Sequence, residues 1–128
     1  MDRRLIPSGS PYEPVIGFSR ATVAGRHVAV SGTAPVMPDG GDPPAGAYGQ
    51  TKRGLEIVLD ALRSVGAGPE HVVRTRMFLV DAADWQEVGR AHGEVFADLR
   101  PASTMVVVAA LLDPRWKVEI EADAILDD

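Results

Sequence analysis

Cysteine is absent from the 128 residues. That excludes disulfides, thiolate nucleophiles and cysteine-ligated metals together, so any chemistry falls to oxygen and nitrogen groups. Lysine is scarce, with Lys52 and Lys117 alone, and no run of basic residues interrupts a net charge of −5. Such a chain repels nucleic acid, and no nucleic-acid partner is expected. No apolar segment approaches the roughly 20 residues that cross a bilayer. The N-terminal MDRRLIPSGS carries arginines without the apolar stretch of a secretion signal behind them. The expectation is a cytoplasmic protein with no membrane partner.

What remains is ordinary globular material, 45% hydrophobic and 24% charged, of a length suited to one domain spanning residues 1–128. Phe18 to Val23 and His27 to Ser31 read as two strands joined at Ala24-Gly25-Arg26, where glycine suits a tight hairpin turn. A Pro/Gly-rich stretch, residues 36–46, is short enough to be a surface loop. Leu55, Val58, Leu59, Leu62 and Val65 recur at the spacing of one helical face, with Gly66 and Gly68 as stop signals, which predicts a helix over Tyr48 to Val65. His71 to Val80 reads as a strand with Val73, Thr75, Met77 and Leu79 on one side and Val72, Arg74, Arg76, Phe78 and Val80 on the other. A second helix, Ala83 to Leu99, gathers Trp85, Val88, His92, Val95, Phe96 and Leu99 on one stripe and is closed by Pro101. Thr104 to Leu111 is apolar on both faces, and Trp116 to Ile125 alternates Glu119, Glu121 and Asp123 against Val118, Ile120, Ala122 and Ala124.

The predicted order is ββαβαββ with a short strand near Arg4 to Pro7, an α+β architecture of one mixed sheet with two helices on one face. The strand apolar on both faces predicts an apolar helix-free face, buried against further copies of the chain. His27 and His71 lack ligand-like partners at metal spacing, so no metal site is expected. Trp85 and Trp116 read as core or interface anchors. Arg74 and Arg76 opposite the acidic face of the last strand read as cross-strand ion pairs.

Two stretches, VIGFSRATVAGRHVAVSGTAP (Val15 to Pro35) and RPASTMVVVAALLDPRWKVEIEADAI (Arg100 to Ile125), resemble the signature regions of the Rid family of reactive-intermediate deaminases, also called YjgF proteins. The resemblance implies a chorismate-mutase-like fold, a homotrimer around a central barrel, small-molecule clefts between subunits, and no cofactor or metal. It further implies hydrolysis of enamines and imines, such as 2-aminoacrylate, to keto acids and ammonia. In that family an arginine directly after Pro-Ala pairs with the substrate carboxylate, as only a planar, permanently charged fork can. Here the position after Pro101-Ala102 is Ser103. Phe18 stands where a tyrosine is frequent, and Gly89 where active members carry asparagine. Ser31-Gly32 and Glu119 are retained, the latter as the group that positions water.

The candidate site is therefore Glu119 as the catalytic carboxylate, with Phe18, Arg20, Ser31, Gly32, Gly89, Ser103 and Thr104 around the substrate. Arg100 and His92 are further candidates, one as a substitute guanidinium and the other as a base near pKa 6.5, weighed against a helix-end arginine and a packed core histidine. Two readings follow. The chain binds a small reactive metabolite with little turnover of 2-aminoacrylate, down to a non-catalytic metabolite-binding regulator that holds its ligand without turnover, or it is an imine/enamine hydrolase using another arginine or a water held by Glu119. Ribonuclease activity, linked to some family members, has no basic stripe to support it.

Overall fold

The computed structural model describes residues 2–128. Six strands and two helices form one sheet backed on one face by both helices: β1 (Arg3–Ile6), β2 (Ala21–Ala24), β3 (His27–Thr33), α1 (Ala47–Arg63), β4 (Val72–Leu79), α2 (Trp85–Phe96), β5 (Ala102–Val107) and β6 (Val118–Ile125). The sheet order is β1-β2-β3-β6-β4-β5, antiparallel except for the parallel pair β4-β5. A parallel neighbour needs a crossover, and α2 supplies it.

The helices form where the apolar spacing predicts, and their faces close the core. Leu55, Val58 and Leu62 of α1 and Val88 and Phe96 of α2 are buried against Val28, Val30, Met77, Leu79, Val118 and Ile120 of the sheet. Both helices begin or end a few residues inside the predicted spans. Ala82–Asp84 forms a separate 3₁₀ turn, capped by the Asp81 carboxylate accepting from the Ala83 amide at 2.9 Å. Gly54 lets α1 approach β6 closely: a Cβ there would stand 3.2 Å from the Cδ1 of Ile120. The proline-rich loop is anchored by Gln50, a fully buried amide that donates to the carbonyls of Pro44 and Arg115 and accepts from the Lys117 amide. Each of its bonds replaces water lost on burial.

Four expectations are corrected. The helix-free face is not broadly apolar. It presents Arg74, Arg76, Glu119, Glu121 and Asp123, with Arg76 paired to Glu121 at 3.5 Å and Asp123 at 3.4 Å, beside Phe78 and Val106. The apolar run after Thr104 does not make a long buried strand. β5 is an edge strand that stops at Val107, with Val106 41% and Val107 53% exposed, and Leu112 beyond it is 96% exposed. In β4 a register shift between Val72 and Arg74 turns Val72, not Val73, into the core, as an extra residue in a ladder does. Trp85 is 57% exposed and no core anchor, while Trp116 is half-buried.

Candidate functional site

Strand alternation divides the candidates between the two sides of the sheet. Glu119 projects from β6 between Val118 and Ile120, both buried beneath the helices, and so lies on the helix-free face. There it meets the irregular end of β3, where pairing with β6 shifts between Val30 and Thr33. Gly32 sits in that irregularity, and a Cβ on it would stand 2.6 Å from Oε2 of Glu119. The backbone makes room for the carboxylate only because position 32 has no side chain.

Arg20 closes the same corner. Its Nη1 donates to the Gly32 carbonyl at 3.0 Å and to Thr33 Oγ1 at 2.8 Å, and the Thr33 hydroxyl donates onward to the Ser31 carbonyl. Burial pushes the Arg20 guanidinium down, opposed by the fields of Glu119 and Glu13. Burial likewise pushes the Glu119 carboxyl up, Arg20 pulls it back, and Glu121 adds to the rise. A half-buried carboxylate with a raised pKa beside a half-buried cation is the arrangement found where a proton or a polar ligand is handled. Ser31 uses its hydroxyl to donate to the Ser19 carbonyl at 2.6 Å, so it holds the strand entry together. Phe18 is half-buried and lines an open cavity of about 670 Å³ with Leu5, Glu13, Pro14 and Thr22.

Ser103 and Thr104 face opposite ways. Thr104 is in register with Arg76 on the helix-free side, while Ser103 is in register with Thr75 on the helix side. Thr75 is fully buried, and its Oγ1 lies 2.8 Å from Ser103 Oγ and 2.8 Å from His92 Nε2. His92 projects from α2 and its ring packs against Phe96, centroids 4.7 Å apart. Burial lowers the His92 pKa, which keeps the ring neutral at pH 7. Ser103 itself is exposed. An accessible hydroxyl at the edge of the molecule is thus joined to an imidazole through a hydroxyl sealed in the core.

Gly89 lies on α2 with open space beside it: nothing stands within 4 Å of where its Cβ would be. Arg100 has a left-handed backbone, φ 53°, at the end of α2; its amide donates to the Phe96 carbonyl and its Nε to that of Ala97. Its guanidinium therefore caps the helix whose last carbonyls it satisfies. Of the three candidate groups for replacing the missing guanidinium, Arg20 is bonded to Gly32 and Thr33 and acts on Glu119 through its field, Arg100 is committed to the helix end, and His92 is bonded to Thr75.

Thr75 is the residue the sequence reading passed over. It stood on the core side of its strand, and His92 on the core side of its helix. Two polar groups directed into one core signal that they bond each other. Among the described residues no cluster of histidine and carboxylate side chains is arranged to hold a metal ion, and no helix is long and apolar enough to cross a membrane.

The family model described as endoribonuclease L-PSP matches residues 9–126. A Streptomyces coelicolor protein of uncharacterised function is 41% identical over 125 residues, covering 94% of this chain and 90% of that one. The 2-iminobutanoate/2-iminopropanoate deaminase of Mus musculus is 30% identical over 96% of this chain and 91% of its own. A crystal structure from Mycobacterium tuberculosis, described as a YjgF-family member, superposes with a TM-score of 0.88 at 38% identity, covering 98% of this chain and all of that one. Sequence and fold agree over nearly the whole length, and the chain belongs to the YjgF/Rid family.

Proposed function

We propose that the chain binds a small reactive imine, enamine or related carbonyl compound in clefts formed between the subunits of a homotrimer. One observation carries this reading: Glu119 is a half-buried carboxylate with a raised pKa, seated against a glycine that leaves it space and within the field of the Arg20 guanidinium. Such a carboxylate orients a water for attack on a C=N carbon. The mouse relative named for deamination of 2-imino acids supports the substrate class.

The division of the candidates supports the shared cleft. Glu119 lies on one face of the sheet, on β6, and Ser103 lies on the other face at the edge strand β5. One copy cannot direct both at the same small molecule, whereas the edge of one copy set against the open face of the next can. The exposed Val106 and Val107 on that edge supply apolar surface for such a contact.

Ser103 sets the selectivity. A hydroxyl cannot neutralise a carboxylate, and exchanging a charge-assisted pair for a neutral contact forfeits about 1.5–3 kcal/mol. The substrate group facing position 103 is therefore uncharged, and 2-aminoacrylate is a poor substrate. The test is a coupled assay in which a dehydratase generates 2-aminoacrylate and pyruvate release is followed with and without the protein. The expected result is little or no acceleration; robust acceleration by the wild-type chain overturns the selectivity. With a net charge of −5, single-stranded RNA is not expected to bind at any salt concentration.

A further inference from the structure

Outside the Glu119 corner, one cluster joins three side chains that can exchange protons: Ser103, Thr75 and His92. We infer that they form a proton relay, in which the exposed Ser103 hydroxyl touches the ligand while Thr75 and His92 act through it, and that the relay serves hydrolysis of an uncharged imine. The inference rests on the reading that the cleft takes imine-type compounds.

The geometry is that of a continuous chain. Both links are 2.8 Å, the ordinary separation of bonded hydroxyl and imidazole groups. The middle member is sealed from solvent, so its single proton has only two destinations, Ser103 Oγ or His92 Nε2. When Thr75 donates to His92, the Ser103 proton points to Thr75; when His92 donates to Thr75, Thr75 donates to Ser103 and the Ser103 proton faces outward. A change at one end reverses the whole chain. Among the described residues no charged side chain of α1, α2, β4 or β5 bonds to the ring, and burial alone shifts it. The relay therefore ends in a neutral base.

The steps balance once the imine, which carries no carboxylate and arrives neutral, has taken one proton from solvent on its nitrogen. Water oxygen bonds to the carbon as the C=N pair moves to nitrogen. The water proton passes to Ser103, the Ser103 proton to Thr75, and the Thr75 proton to Nε2, leaving an imidazolium. The chain then runs backwards and returns a proton to the amino nitrogen. The C–N bond breaks, ammonia leaves with its electron pair, and the remaining hydroxyl proton passes to it, giving a carbonyl and ammonium. A carboxylate at Ser103 would hold the first hydroxyl as a donor and block this transfer, in keeping with an uncharged group there.

The test pairs kinetics with a view of the ring. The probe is the uncharged imine that a flavin amine oxidase releases from benzylamine, its hydrolysis followed as benzaldehyde by stopped flow. Thr75→Val keeps the shape and removes the bridge. It is expected to lower kcat about 100-fold, the smaller end of the usual gain from general acid–base catalysis, with KM within twofold and the acid limb of the kcat profile lost. Ring-nitrogen shifts of His92, read by NMR on the free protein, are expected to move in both Thr75→Val and Ser103→Ala. If the wild type hydrolyses this imine and Thr75→Val matches it in rate and pH profile, the relay is overturned while imine hydrolysis stands. If the wild type hydrolyses no imine, the hydrolytic reading falls. Unmoved His92 shifts in Ser103→Ala overturn the relay whether or not turnover is seen.

Discussion

The Glu119 carboxylate occupies the space in which a side chain at position 32 would begin: Oε2 lies 2.6 Å, and Cδ 3.2 Å, from where a Cβ on Gly32 would stand. Real Cβ atoms do not sit so close, so Gly32→Ala must move the carboxylate. The obstructing atoms are the far end of a flexible side chain and φ at Gly32 is not in the left-handed region, so the fold absorbs the change. The expected outcome is a melting temperature within a few degrees of wild type with ligand affinity reduced about 10-fold, by calorimetry and direct binding, which matches the loss of one charge-assisted contact. Unchanged affinity would show that Glu119 has no part in binding.

Two histidines give stability opposite pH dependences. Burial lowers the His92 pKa below its unfolded value near 6.5. The unfolded chain then binds the proton more readily, so the contribution is complete above about pH 6.5 and declines as pH falls through the folded value. His71 behaves in reverse. Its Nε2 lies 3.0 Å from Asp127 and its Nδ1 accepts from the Gly68 amide, and its pKa is raised, chiefly by the Asp127 bond. Its contribution is complete below about pH 6.5 and is lost as pH rises through the folded value. Urea unfolding from pH 5 to 8 should show the acid-side decline removed in His92→Phe and the alkaline-side decline removed in His71→Gln. A His92→Phe curve that keeps the wild-type acid slope would contradict the burial of a neutral ring.

The assembly is tested at the β5 edge. Val107 is 53% exposed in one chain, so a charge there is harmless to a monomer and costly in a desolvated interface. Sedimentation should give a species of about 41 kDa, three times the 13.6 kDa chain, and Val107→Asp should reduce it to one-third with helical content intact. A wild-type monomer, or a variant that remains trimeric, would contradict the contact.

Much of this was legible along the chain because short-range pattern and packing coincide. The Leu55–Val58–Leu62 spacing made α1, and the alternation from Val118 to Ala124 made β6 and placed Glu119 away from the helices. The apolar run after Thr104 was misleading because valines mark what a strand can bury, while β5 at the sheet edge leaves them exposed to whatever docks there. The adjacent Ser103 and Thr104 suggested one polar lip, yet the period of two in a strand sends them to opposite faces. The link from Ser103 to His92 depends on the parallel register of β4 and β5, set by a crossover rather than by any local signal.

The central claim is that the residue after Pro101-Ala102 excludes a carboxylate from the cleft, and the most direct measurement is the ratio of kcat/KM for the uncharged imine from benzylamine to that for 2-aminoacrylate, in wild type and in Ser103→Arg. The wild type should favour the uncharged imine, and Ser103→Arg should gain on 2-aminoacrylate about 10-fold while losing on the uncharged imine, as a new charge-assisted contact implies. Equal or better use of 2-aminoacrylate by the wild type, with no gain in Ser103→Arg, would contradict it.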